Sequence, residues 1–374
     1  MQEGTNMKPL ISVLIPVYKE SKLLSAMLYK LISQDAQKEI FVIIDEPSEE
    51  SIKISKSFKD DVRFILNNSR IGKAKALNEA VKLSSGDVLF FLDADIELPD
   101  DPKFLGKAIH EMRDTDILDI KKRVCRDSFL SKMTYYEYLG FNISAWLTAK
   151  FVKKSPAVNG AAFAIKRTIF KSLGGFRGVI SEDLDLATRA FLNNHRFKYT
   201  GEIEVYNHVY STWKNWAKQR KRWALGTALW AKEYCRELLK STVKHPQIFI
   251  PGLFFLFPSL VLVMLSFLIP DLFIHKIFSI IFLFLSIKFS FILPVLMLTI
   301  IGADFLKNLI PTFLSFLIFA VLFFVFSKKL GFKFKFHEFF IYYFFFSLLI
   351  LLIMIMGMIC VFVFNKKLKV DWKV

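Results

Sequence analysis

The sequence predicts an α/β domain with a mostly parallel sheet, followed by a helical region of about four membrane spans. Three observations predict it. Over the first 240 residues, short apolar runs recur about every 25 residues, with helical periodicity between them. The carboxyl ends of those runs are polar, carrying Glu20, Asp45, Glu46, Asn67, Asn68, Asp93 and Asp95. Beyond residue 245 the apolar runs reach the roughly 20 residues that a helix needs to cross a bilayer, and 28 of the 42 phenylalanines follow residue 240.

Taken in order, residues 11–16 read as a buried strand and 21–32 as a helix, since apolar positions in the latter recur at helical spacing. Residues 40–45 form a second strand, with Ser48 placed to cap a following helix. Residues 62–66 form a third strand, 73–83 a helix and 88–92 a fourth strand. Strands linked through helices imply right-handed βαβ crossovers and a parallel sheet covered on both faces. Such sheets bind ligands at the carboxyl ends of their strands. Residues 1–240 are therefore assigned to a cytosolic α/β domain ending in interfacial helices, and 241–374 to a transmembrane domain.

Composition narrows the class. With 53% hydrophobic and 23% charged residues in 374, the chain is too apolar for disorder or for one soluble globule with an ordinary surface. Cys125, Cys235 and Cys360 lack CxxC spacing, which excludes a disulfide scaffold and a multi-thiolate cluster, and none of the six histidines stands in an HExxH. The run at 11–18 is too short for a secretory signal and is followed by charges. The net charge is +17, yet no zinc-finger spacing, RNP-like motif or basic heptad region accompanies it. Basic residues beside long apolar segments point to an anionic membrane face and not to nucleic acid.

The expected spans are 248–269, 272–301, 305–326 and 339–364, the second carrying Lys276 and Lys288. An even number of crossings puts both termini on one side, and Lys366, Lys367, Lys369 and Lys373 place that side in the cytoplasm. The lysines at 328, 329, 333 and 335 would then face outward, unless one segment does not cross or Phe332, Phe334 and Phe336 seat that loop at the interface.

Four clusters carry possible chemistry. Phe90-Phe91-Leu92-Asp93-Ala94-Asp95 ends an apolar strand in carboxylates; if extended, Asp93, Asp95 and Glu97 share one side and call for a hard cation, Mg²⁺ or Mn²⁺. A solvated turn is the plain alternative. Ser181-Glu182-Asp183-Leu184-Asp185 follows a glycine-rich stretch; its acids suit a helix start, with Ser181 as cap, or a general base. In Gln219-Arg220-Lys221-Arg222-Trp223, helical spacing puts Gln219, Arg222 and Trp223 on one face, fit for a pyrophosphate and a sugar or for a membrane interface. Arg70-Ile71-Gly72-Lys73 opens a helix after a strand, where exposed amides can meet a phosphate or a base. Asn159-Gly160-Ala161-Ala162 makes a small-residue floor under an acceptor or packs tightly for its own sake, Asn142-Ile143-Ser144 is an unused glycosylation triplet, and His208 is structural or an extra metal contact.

Together, Ser12-Val13-Leu14-Ile15-Pro16-Val17-Tyr18, Ile43-Ile44-Asp45-Glu46, Gly72-Lys73-Ala74-Lys75-Ala76-Leu77-Asn78, Asp93-Ala94-Asp95, Ser181-Glu182-Asp183 and Gln219-Arg220-Lys221-Arg222-Trp223 resemble family 2 glycosyltransferases of the GT-A fold. The resemblance covers about residues 8–230 and is to the membrane-embedded branch of hyaluronan, chitin and cellulose synthases. It implies a nucleotide-diphospho-sugar donor, a glycan or lipid-linked acceptor, and inversion at the anomeric carbon. It implies Asp183 as base with Glu182 beside it. It implies donor contacts from Pro16, Glu20, Asp45, Glu46, Arg70, Lys73, Asp93, Asp95, Gln219, Arg222 and Trp223, and a metal held by Asp95, Asp93 and Glu97. The chain departs from the pattern in carrying Asp45-Glu46 where two aspartates are usual, and in having no apolar helices ahead of residue 8. Processive polymer synthesis, transfer of one sugar to polyprenyl phosphate or a glycolipid, and a membrane transporter with a nucleotide-sensing domain therefore stand as rival readings.

Overall fold

A computed structural model describes residues 10–244, 246–261, 264 and 293–364. Its first strands and helices follow the apolar periodicity: β1 (Ile11–Tyr18), α1 (Leu24–Ile32), β2 (Lys38–Asp45), α2 (Glu49–Ser57), β3 (Arg63–Asn67), α3 (Lys73–Leu83) and β4 (Val88–Leu92). β1 pairs in parallel with β2 and β4, and β2 with β3. Ile11, Val13, Leu14 and Ile15 are all buried, as befits a strand covered on both faces. Ser48 caps α2, its Oγ accepting from the Ser51 amide at 3.3 Å.

The second half of the sheet changes direction. It comprises β5 (Ile96–Glu97), α4 (Phe104–Glu111), β6 (Ile117–Val124), α5 (Phe129–Phe151), β7 (Ala162–Lys166), α6 (Arg167–Ser172), α7 (Glu182–Leu192) and β8 (Phe197–Asn207), and leads into α8 (Trp213–Lys244). The strand order is β3-β2-β1-β4-β7-β6-β8-β5. β7 is antiparallel to both β4 and β6, β6 is parallel to β8, and β5 is antiparallel to β8. The sheet is thus parallel over its first four strands and mixed beyond. Inserting β7 beside β4 brings Ala161 against the end of β4, where the Asp93 amide donates to the Ala161 carbonyl at 2.9 Å.

The chain divides into two compact units, residues 1–252 with 352–374, and residues 253–351. The first holds the sheet and α8. Further helices are α9 (Pro246–Leu256), α10 (Leu293–Lys329), α11 (Phe336–Ile341) and α12 (Ser347–Phe362). Two described stretches, Thr312–Lys329 and Phe336–Phe362, are long and apolar enough to cross a membrane. They overlap the third and fourth expected spans. The expected break between 301 and 305 is absent, because α10 runs through it without interruption; one glycine costs a helix only about 1 kcal/mol. Most of the expected 272–301 span, Lys276, Lys288 and the tail lysines lie outside the described residues. Within the second unit, the basic–aromatic alternation after Lys329 lies in a turn and loop ahead of α11. Phe332 is buried, the Phe334 ring lies 5.3 Å from Phe339, and Lys333 and Lys335 are exposed.

Candidate active site

The site lies entirely within the first unit, at the carboxyl ends of β1, β2 and β4. Asp45, the last residue of β2, is buried and fully engaged. One oxygen accepts from Asn67 Nδ2 at 2.9 Å, and the other from the amides of Ile71 at 3.0 Å and Gly72 at 2.9 Å. Gly72 makes this approach at φ 88°, a backbone setting that side chains resist. The carboxylate thereby fixes the loop that carries Arg70. The Arg70 guanidinium stacks 3.9 Å from the Tyr18 ring centroid, and its Nη2 is buried without a hydrogen-bond partner in the structure. A buried guanidinium nitrogen left open in this way is fit to receive a ligand acceptor. Glu46 accepts from the Tyr18 hydroxyl at 3.1 Å, and the exposed Glu20 from Ser48 Oγ at 2.7 Å.

Lys73 opens α3 and links two sources of negative charge. Its Nζ lies 2.6 Å from Asp93 and 3.3 Å from Glu182. Burial pulls the ammonium pKa down, but Asp93, Glu182 and Asp183 outweigh it and raise it, so Lys73 stays charged. Beyond Leu92 the chain leaves the strand, so the expected extended run is a turn through Ala94 and Asp95. Asp95 is exposed at this turn; desolvation by the protein atoms packed around its carboxyl, and then Asp93, push its pKa up to about 6 against the pull of Lys73 and Arg222. Glu97 is drawn elsewhere: its carboxylate lies 3.1 Å from His208 Nε2 and 3.6 Å from Lys30.

Asp183 stands in the first turn of α7. Its Oδ2 accepts from the Gly160 amide at 2.8 Å and its Oδ1 from the Leu184 amide at 2.8 Å. Glycine is required at 160, since a Cβ there would sit 2.6 Å from Asp183 Oδ2. The small-residue stretch before β7 therefore serves to seat this carboxylate. Burial raises the pKa of the neighbouring Glu182, with Lys73 opposing. Ser181 precedes the helix but its side chain makes no cap hydrogen bond. It packs instead against Gly226 of α8, where any Cβ would collide with Ser181 Oγ. Pro16, Lys73, Asp93, Gly160, Glu182 and Asp183 line one crevice.

Gln219, Arg222 and Trp223 lie on α8 at helical spacing, as expected, and Arg222 is near enough to bear on Asp95. Arg220, given no role by the sequence, anchors them. It is buried, pairs with the buried Glu137 of α5, stacks 4.2 Å from the Trp223 ring centroid and donates to Gln219 Oε1 at 2.5 Å. Beneath the site, Asp119 and Lys122 form a second buried pair. Asn142 of the glycosylation triplet is buried, accepting from the Lys122 amide at 3.2 Å and from the Tyr199 hydroxyl at 2.8 Å.

A half-parallel, half-mixed sheet with acids from β2, β4 and α7 gathered at one edge defines a GT-A-like α/β domain. Residues 12–174 match glycosyl transferase family 2. It is similar to the probable glycosyltransferase YdaM of Bacillus subtilis (strain 168), 27% identical over 268 residues, covering 67% of this chain and 63% of that protein. It is also 27% identical over 222 residues to a poly-beta-1,6-N-acetyl-D-glucosamine synthase of Staphylococcus epidermidis, covering 58% and 54%. These matches span little more than half the length of the curated relatives. Among solved structures, the mannosyltransferase PcManGT from Pyrobaculum calidifontis, in complex with GDP-Man and Mn²⁺, shares the fold. Its TM-score is 0.50 at 22% identity, covering 62% of this chain and 65% of that one.

Proposed function

We propose that the protein is a membrane-bound inverting glycosyltransferase that moves a sugar from a nucleoside-diphosphate donor onto a growing glycan. The observation that carries this reading is the convergence of Asp93, Glu182 and Asp183 on Lys73 in one crevice, with Arg222 near Asp95. The synthase relatives support a glycan product, and the two candidate spans support a membrane setting; the catalytic unit then faces the cytoplasm, where sugar nucleotides are made.

In this reading the open Arg70 Nη2 and the Tyr18 ring receive the nucleoside, while Pro16 and Glu20 border it. Lys73 and Arg222 face the diphosphate, with Gln219 and Trp223 closing over it. Asp93 and Asp95 offer only hard carboxylate oxygens, and the Lys73 ammonium 2.6 Å from Asp93 already shows that this turn attracts positive charge; both features fit Mg²⁺ or Mn²⁺. When bound, such a cation neutralises charge on the departing diphosphate. Asp183, held by two amides, takes the proton of the acceptor hydroxyl as its oxygen attacks the anomeric carbon from the side opposite the diphosphate. The glycosidic bond forms as the bond to phosphate oxygen breaks. The diphosphate leaves as an anion and needs no proton, so one base suffices.

The test is a panel of radiolabelled sugar nucleotides, UDP-N-acetylglucosamine and GDP-mannose among them, with the purified chain in lipid and product sizing by mass. Asp183→Asn should lower kcat by about 10²–10⁴ while leaving donor affinity nearly intact. Transfer at the normal rate by that variant removes the base assignment. A product with a single added sugar replaces the polymer reading with transfer to a lipid acceptor.

A further inference from the structure

We propose that Asp119 is a positioning residue for the transfer: locked by Lys122 beneath the crevice, it holds the run 159–161, which in turn seats both Asp183 and the turn that bears Asp93 and Asp95. The proposal rests on the reading of Asp183 as the base. Asp119 stands on the last rung that β6 shares with β7, opposite Phe163. The Asn159 amide, just ahead of β7, donates to the Asp119 carboxylate. Further bonds leave the same run. The Gly160 amide donates to Asp183 Oδ2 at 2.8 Å, the Ala161 carbonyl accepts from the Asp93 amide at 2.9 Å, and the Ala161 amide donates to Asn159 Oδ1 at 3.1 Å. One short segment thus touches the base on one side and the acidic turn on the other, and Asp119 grips it from β6.

A regular strand would not pair Asp119 with Lys122. Side chains alternate between faces, so residues three apart point to opposite sides. The register of β6 on β8 slips between Ile120 and Lys121, and irregularities of this kind re-aim side chains. Lys122 is turned onto the side of Asp119, and its Nζ pairs with Asp119 Oδ1. Asn142 of α5 fixes the lysine's backbone from both directions, accepting from its amide at 3.2 Å and donating to its carbonyl at 2.9 Å. Asp119 is 4% exposed and Lys122 2%.

Such a pair is a poor means of holding a fold. Burial raises the Asp119 pKa and lowers that of Lys122, each partner opposing the shift in the other. Apolar side chains of similar volume are often as stable or more so. What they cannot do is accept the Asn159 hydrogen bond, or set a charge within reach of the site. Lys122 is close enough to bear on Asp183 and Asp93, and Asp183 on Asp119. The pair fixes where the run 159–161 stands, and with it the gap between the proton acceptor and the acids at the end of β4. A displacement of about 1 Å in a reacting group costs on the order of 10²-fold in rate.

The experiment compares two variants of the full chain in lipid, assayed with radiolabelled UDP-N-acetylglucosamine and GDP-mannose. Neither variant keeps the buried pair of charges. Asp119→Asn/Lys122→Met retains an oxygen for the Asn159 amide, and Asp119→Leu/Lys122→Met does not. The first should transfer within about fivefold of the wild-type kcat and the second about 10²-fold slower, with donor affinity by calorimetry within about threefold of normal in both. The second should unfold no earlier than wild type. Equal rates in the two variants overturn the proposal, because a merely structural pair does not distinguish an oxygen from a methyl. So does a fall in donor affinity as large as the fall in rate. Should Asp119→Leu/Lys122→Met not fold, Asp119→Glu decides. It keeps the charge but carries the oxygens one methylene further, and should slow transfer at least about tenfold with donor affinity unchanged; a normal rate overturns the proposal. Asp183→Asn runs alongside. If it is slow while Asp119→Leu/Lys122→Met is normal, this proposal alone fails; if Asp183→Asn itself is normal, the base reading falls and takes this proposal with it.

Discussion

At the scale of single residues, the site depends on close approach. Asp183 points into the crevice because Gly160 offers an amide and no side chain. Gly160→Ala would place a methyl 2.6 Å from Asp183 Oδ2, and the carboxylate must move. A misplacement of about 1 Å in a reacting group costs on the order of 10²-fold in rate. We expect Gly160→Ala to lower kcat by tens to hundreds of times with donor affinity within about threefold of normal; calorimetric donor titration beside initial rates separates the two. Asp45, Asp93 and Asp183 were legible in the sequence because each is an acid at the border of an apolar run or a glycine-rich stretch, where a solvated turn or a site are the choices. Glu97 with His208 was not, because its two members lie 111 residues apart and meet only through the register of β5 on β8. Arg220 was missed for a similar reason: its partner Glu137 sits among tyrosines that resemble an interfacial stripe, and only the fold shows Tyr135, Tyr136 and Tyr138 to be buried.

At the scale of elements, the parallel half of the sheet could be read because its strands are buried on both faces and carry nearly unbroken apolar runs. β6 could not. It carries Asp119, Lys121, Lys122 and Arg123 through the middle of the sheet, and no periodicity argument admits so many charges to a central strand. The structure resolves this by pairing: Asp119 with Lys122, and Glu204 of β8 with both Lys121 and Arg123 at 2.8 Å. Burial opposes the charge on Glu204, but hydrogen bonds from Arg123, Lys121 and Tyr206 prevail and carry its pKa down to about 2. An unfolded glutamate titrates near about 4.3. The folded value is the lower one, so the pair's contribution is complete above that pH and disappears as pH falls toward about 2, on the order of 2–3 kcal/mol in all. Glu204→Gln should therefore be less stable than wild type at pH 7 and converge with it in acid, as followed by tryptophan fluorescence. The contact between α7 and α8 makes a second prediction. Gly226→Ala would drive Ser181 and Ile180 away, the latter from 3.0 Å, and shift Gln219, Arg222 and Trp223 against Asp183. Overpacking of this kind costs about 1–3 kcal/mol. Transfer should fall at least about tenfold, and Ser181→Gly added to Gly226→Ala should recover part of it.

At the scale of the whole molecule, two kinds of apolar surface stand in one chain. The sheet buries apolar residues on both faces, Val13, Val42 and Phe90 on one and Leu14, Phe41 and Phe91 on the other, whereas the described C-terminal helices display many of theirs. Phe313, Val321, Phe345 and Met356 are each more than half exposed within the stretches Thr312–Lys329 and Phe336–Phe362. Water does not tolerate apolar faces of that length, at roughly 25 cal/mol for each Å² left uncovered. Lipid does, because helices satisfy their backbone hydrogen bonds internally. The net charge of +17 adds attraction to an anionic leaflet, but that term is screened by salt and the apolar term is not. The two can be told apart by extraction. If the helices span, high salt and alkaline carbonate should both leave the protein in the membrane pellet and only detergent should release it. Release by salt alone would make the attachment electrostatic, and the spanning assignment of Thr312–Lys329 and Phe336–Phe362 would have to be given up. Repeating the extraction on chains carrying two arginines at Val321 and Phe324 tests the same point from within. Each costs about 2.5–3.5 kcal/mol at the centre of a spanning helix, enough to loosen a span held by lipid but without effect on a helix lying in water.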